Sequence, residues 1–83
     1  MRGKTITMVI QLEDEPGILS EILQTVARYH ANILTIHQSI PVNGVASLTL
    51  SVDVLSDTGD VSDMVETMEK TQGIHYVKIL ARE

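Results

Sequence analysis

The chain has no cysteine, which excludes disulfides and thiolate metal sites. It has no phenylalanine and no tryptophan, and its aromatics are Tyr29 and Tyr76. Any core must therefore be built from aliphatic side chains. Cations are scarce: six Lys and Arg stand against eleven Asp and Glu, a formal net charge of −5. Nucleic acid and anionic membranes both demand clustered cations, so neither is an expected partner. No signal-peptide core and no long apolar run appears, which reads as a soluble, cytoplasmic chain. The glycine patterns of phosphate loops and dinucleotide sites are missing, and no serine sits in a nucleophile elbow.

What remains is one small domain of 83 residues, 43% apolar. A domain this small is often marginal alone, so pairing with a second copy is expected. Thr5 to Leu12 alternates with Ile6, Met8, Ile10 and Leu12 on one face, the period of a half-buried strand. Ile18, Leu19, Ile22, Leu23 and Val26 recur at helical steps and predict an amphipathic helix over Ile18 to Tyr29. His30-Ala31-Asn32 ends that helix, with Asn32 suited to the left-handed region. Ile33 to Ile40 reads as a second strand, with Ile33, Thr35 and His37 on one parity. Asn43-Gly44 is a hairpin turn. Val45 to Val54 alternates again, Val61 to Thr71 is helical, and His75 to Leu80 is a last strand.

Strand, helix, strand, strand, helix, strand is an α+β chain with two crossovers around a hairpin. It predicts a ferredoxin-like βαββαβ sandwich: a four-stranded antiparallel sheet with two helices on one face. The opposite face, with Thr5, Thr7, Ser47, Thr49 and Ser51, suits a sheet wet on one side.

The turn between first strand and first helix is the best candidate site. Asp14 favours leaving a strand, Pro16 suits a helix start, and Gly17 permits close backbone approach. The N–H groups from about Gly17 to Ser20 have no partner within the helix and form an electropositive cup for a carboxylate.

Glu13-Asp14-Glu15-Pro16-Gly17-Ile18-Leu19, then Ala31-Asn32-Ile33, then Gly73-Ile74 resemble the pattern of the ACT domain, a ligand-binding module of amino-acid biosynthetic enzymes. The likeness spans Lys4 to Ala81. The run from Asn32 to Ala46 is similar to the C-terminal half of small bacterial PheB-like ACT proteins; ACT domains of homoserine dehydrogenase are a second match around Pro16-Gly17. The PheB-like proteins carry an additional N-terminal segment, so the resemblance implies a fragment or a shorter relative. It further implies a ligand site at Asp14, Glu15, Pro16, Gly17, Ile18, Leu19, Asn32 and Ile33. It implies a homodimer through the Ile33 to Ile40 strand and the first helix, with a small amino acid between the copies. Leu12 stands where amino-acid binders often keep a polar residue, which speaks against a polar, serine-like ligand and is compatible with an apolar amino acid or with no ligand. Ala31 replaces a frequent glycine.

The other chemistry-bearing residues have structural readings. His30 and His75 are single and far apart, so no metal is expected, and no cofactor either. Met64 and Met68 are one turn apart and read as core. Asp53, Asp57, Asp60 and Asp63 lack EF-hand spacing and read as loop and helix-start charge. His37 reads as a solvated or interfacial residue. Catalysis would need a nucleophile with a base, or several cations gathered on an anionic substrate, and neither is visible. The expected function is a regulatory, non-catalytic, amino-acid-binding domain. A purely structural dimerisation module, or a fragment of an enzyme of aromatic or aspartate-family amino-acid biosynthesis, are the alternatives.

Overall fold

The computed structural model describes residues 4–83. The elements run β1 (Lys4–Glu13), α1 (Ile18–Arg28), β2 (Asn32–Gln38), β3 (Val45–Val54), α2 (Val61–Glu69) and β4 (Ile74–Arg82). The strands form one antiparallel sheet in the order β2-β3-β1-β4. This is the expected ferredoxin-like sandwich, with β2 and β4 at its edges.

β1 and β3 pair without interruption from Lys4↔Val54 to Glu13↔Val45. Alternation then puts Ile6, Met8, Ile10, Leu12, Ala46, Leu48, Leu50 and Val52 on one face, all buried. The helices close that face with Ile18, Ile22, Val26, Met64 and Met68. Both methionines are core, as their spacing implies. The two helices meet where the Tyr29 hydroxyl hydrogen-bonds Thr67 Oγ1 at 3.0 Å. On the free face the Thr7 and Ser51 hydroxyls bond each other at 3.0 Å, and the polar set there is half-buried.

Several element boundaries differ from the sequence reading. α1 stops at Arg28, and the left-handed residue is His30, with φ 61°, rather than Asn32. The Ala31 N–H bonds Val26 O and the His30 N–H bonds Ala27 O, which closes the helix as a Schellman motif. Asn32 is already the first residue of β2. That strand ends at Gln38 rather than Ile40, because only the Ser39 N–H still reaches β3, at Ser47 O, before Pro41. α2 ends at Glu69 instead of Thr71, and β4 runs from Ile74 to Arg82, longer than expected.

The larger correction is a bulge. Ile33 lies opposite Val52 and Thr35 opposite Ser51, so Leu34 is an extra residue on β2. Ile33 therefore faces the helices, whereas Thr35 and His37 face the open side. The shared parity read from the sequence does not hold.

The hairpin beyond β2 is well defined. Val42 and Val45 exchange backbone hydrogen bonds of 2.9 and 3.1 Å across Asn43 and Gly44, which have φ of 54° and 78°. Two positive φ values in a two-residue loop match the right-handed twist of the strands.

Candidate functional site: the β1–α1 turn

Gly17 caps α1 with φ 90° and ψ −18°, a conformation costly for any residue with a Cβ. Pro16 precedes the cap instead of occupying the first helical turn. The turn is tied down from two sides. The Glu13 N–H bonds Gly73 O, and the Asp14 N–H bonds Gly44 O, each at 2.8 Å. The strand-to-helix corner is thus fixed against both the β2–β3 hairpin and the α2–β4 turn.

The helix start is open. No side chain caps α1, and among the described residues the N–H groups of Gly17, Leu19 and Ser20 have no backbone acceptor. α2 makes the contrast: its Asp60 carboxylate accepts from the Ser62 N–H at 2.8 Å and from the Asp63 N–H at 3.4 Å. That aspartate is a helix cap, as the charge reading supposed.

A cleft of about 420 Å³ lies over the open end of α1, lined by Leu12, Glu13, Asp14, Glu15, Pro16, Gly17, Leu19 and Gln38. Of the residues expected at a site, Asp14, Glu15, Pro16, Gly17 and Leu19 are gathered here. Ile18 is not: it turns into the core and is 8% exposed. Asn32 and Ile33 are not there either. They pair with Asp53 and Val52, at the end of the sheet away from the turn.

Three wall residues were missed as contacts. Leu12, expected on the core face of β1, is buried and also forms part of the apolar wall of the cleft. Glu13 ends β1, and its Oε2 hydrogen-bonds His75 Nε2 from the start of β4. Gln38 is distant in sequence, and only the β2–β3 register brings it to the turn. No local signal marks it.

The chemistry of the wall is two-sided. Unpaired N–H groups and the positive end of the α1 dipole favour a carboxylate. Glu13, Asp14 and Glu15 carry negative charge around the same opening, and among the described residues no Lys or Arg lines it. A bare phosphate dianion would meet three carboxylates. A zwitterion with adjacent carboxylate and ammonium satisfies both halves.

His37 lies on the open face opposite Thr49, and His30 sits 3.8 Å from Asp57 at the surface. No group of three or more His, Asp or Glu side chains able to hold a metal occurs among the described residues. No described helix is long and apolar enough to cross a membrane.

The chain is 54% identical over 82 residues to a UPF0735 ACT domain-containing protein of Lachnoclostridium phytofermentans, a match covering 99% of this chain and 56% of that protein. It therefore spans about half the length of the curated relatives it matches. Among solved structures, the ACT domain from GTP pyrophosphokinase of Chlorobium tepidum superposes with a TM-score of 0.74 at 19% identity, over 96% of this chain and 100% of that one. The ligand-free regulatory subunit of aspartate kinase from Thermus thermophilus gives 0.66 at 18% identity, over 96% and 52%. These two likenesses concern the fold. The ACT domain family model matches residues 6–74, from the core of β1 through both helices to the start of β4, and the chain belongs to that family.

Proposed function

We propose that this chain is a non-catalytic regulatory module that binds a small α-amino acid at the β1–α1 turn and works as a homodimer. The observation that carries the reading is the pairing of free helix N–H groups with carboxylates in one cleft. The ligand carboxylate sits on the N–H groups of Gly17, Leu19 and Ser20, which among the described residues have no backbone acceptor. Its ammonium is held by Asp14 or Glu15, both exposed, while Glu13 is occupied by His75. Leu12 and Leu19 favour an apolar side chain. The volume falls within the range of small-molecule sites, roughly 300–1,000 Å³.

Assembly through β2 is supported by a comparison of the two sheet edges. β4 carries Lys78 and Arg82 and pairs with two register shifts against the single bulge of β2, and both charge and irregularity blunt an edge. β2 has neither Lys nor Pro, and Leu34 and Ile36 are 46% and 44% exposed. Beside it, Leu23 and Ala27 lie on the flank of α1 away from Tyr29, the residue that meets α2. Antiparallel pairing of β2 with a second copy hides this surface under twofold symmetry. It also brings the partner's Asn32 and Ile33 toward the Gln38 end of the cleft, the one way these two residues reach it.

A thermal-shift series with each proteinogenic amino acid tests the ligand. Binding to the folded state alone adds about 2.7 kcal/mol at a hundredfold excess over Kd. No shift at millimolar concentration would sink amino-acid binding by this chain. It would leave the second reading, a structural dimerisation module, which the apolar β2 edge supports independently. The involvement of aromatic or aspartate-family metabolism rests on the PheB-like and homoserine dehydrogenase resemblances and on the aspartate kinase likeness in fold.

A further inference from the structure

Among the described residues, four of the seven exposed large apolar side chains fall in one short segment: Leu34, Ile36, Ile40 and Val42. The first two belong to β2. Ile40 and Val42 do not, and they are the most exposed of all, at 87% and 69%. They project from the β2–β3 hairpin, beyond the end of the strand. This arm is not slack. Its base is held by the Ser39 N–H on Ser47 O and the Ser47 N–H on Ser39 Oγ, and its tip by the Val42–Val45 pair. Its turn is tied to β1–α1 through Gly44 O. An ordered arm presenting two bare aliphatic side chains loses little freedom when it docks.

Area gives the occupant. β2 has seven residues. At about 3.4 Å per residue and a sheet thickness of about 10 Å, its edge covers roughly 240 Å². A stable interface takes roughly 800 Å² from each partner. Leu23 and Ala27 widen the contact on the helix side only, so strand pairing needs a further surface.

Geometry gives the landing point. With antiparallel β2 strands centred on Thr35, the segment beyond Gln38 of one copy lies beside the α1–β2 corner of the other. Leu55 stands at that corner, 40% exposed. Its N–H bonds Thr58 Oγ1 at 2.7 Å, and that hydroxyl donates to His30 O at 2.8 Å.

We propose that the hairpin arm is the second docking element of the dimer: Ile40 and Val42 of each copy pack on Leu55 and the α1–β2 corner of the other. The proposal rests on the β2 pairing above and is tested so that the two can fail separately. Within one chain, Ile40 and Leu55 are at opposite ends of β3, about 30 Å apart at the strand rise. Any coupling between them in self-association must cross the interface.

The experiment is sedimentation of the full chain as wild type, Ile40→Ser, Leu55→Ser and the double variant, each checked for fold by circular dichroism. Each single change is expected to weaken association about tenfold, and the double by no more than about twofold beyond either single. A wild-type dimer whose Kd is unmoved by Ile40→Ser, or singles whose effects multiply, overturns the arm and leaves β2 pairing standing. A monomeric wild type at micromolar concentration overturns both. Because the chain has no cysteine, Ile40→Cys with Leu55→Cys gives a second reading. The docked arm yields a covalent dimer on oxidation, and a self-associating chain that stays uncross-linked counts against it.

Discussion

At Gly17 the demand for glycine is conformational and not spatial. A Cβ built there meets nothing within 4 Å, yet φ is +90°. Gly73 carries both demands: φ is +93°, and a Cβ would stand 2.2 Å from Cδ1 of Ile18, a core residue. Gly17→Ala should therefore cost about 1–2 kcal/mol in denaturant unfolding, and Gly73→Ala about 1–3 kcal/mol more. An equal loss at the two positions would contradict this assignment. Gly17→Val should also weaken amino-acid binding more than Leu12→Val, because displacing the cap re-aims the N–H groups that receive the carboxylate. A folded Gly17→Val with wild-type affinity, measured by calorimetric titration, would move the site elsewhere. The Glu13–His75 pair adds a positional effect. Its side chains are 38% and 43% exposed, so screening limits its worth to less than about 1 kcal/mol of stability. Its consequence lies in the cleft, where His75→Ala frees a carboxylate to compete with the ligand for the helix start. Affinity should fall severalfold with Tm nearly unchanged, and Glu13→Gln added to His75→Ala should restore it. Failure of that rescue would show that Glu13 is indifferent to the ligand.

The two helices differ in how they begin. α2 is closed by its own Asp60, and α1 is left open at Gly17. Asp60→Ala should cost about 1 kcal/mol, read as a lower midpoint in urea, without altering the cleft at the other end of the sheet. At this scale the sequence was most legible where side chains alternate against a core. β1 and β3 follow their pattern pair by pair, so element order, fold class and core are legible in the sequence. It was least legible where the backbone decides alone. The Leu34 bulge leaves no trace in Asn-Ile-Leu-Thr-Ile-His-Gln, because an unpaired residue changes register without changing composition. His30 and Asn32 both tolerate positive φ, and the Schellman hydrogen bonds select His30. The site divides the same way. Its turn was visible as local chemistry, whereas Gln38 arrives by strand pairing and the Asn32 end of β2 is carried away by it. The residues grouped by the resemblance thus fall in two places within one chain, at opposite ends of the sheet.

At the scale of the whole molecule, the β1–α1 turn and the hairpin arm are joined by a backbone hydrogen bond. Gly44 O, at the tip of the hairpin arm, accepts the Asp14 N–H of the ligand turn at 2.8 Å. Gln38, the last residue of the pairing edge, is also a wall of the cleft. In the proposed dimer, a ligand that orders the turn also orders the arm and strand end that face the second copy. Linkage makes this reciprocal: a ligand that tightens the dimer by some factor is itself bound tighter by the dimer by the same factor. The amino acid found by thermal shift should therefore lower the dimer Kd in sedimentation, by about 5- to 150-fold if the coupling is of ordinary size. Thr35→Lys separates this from simple stabilisation. Thr35 is exposed and lies outside the cleft; at the centre of the proposed β2–β2 pairing, lysine there sets like charges against each other without touching the wall. The variant should be monomeric at micromolar concentration, keep its circular dichroism spectrum, and bind the same amino acid more weakly. Full affinity in a monomeric Thr35→Lys would mean that one copy holds the entire site, and that the cleft and the β2 edge are energetically separate.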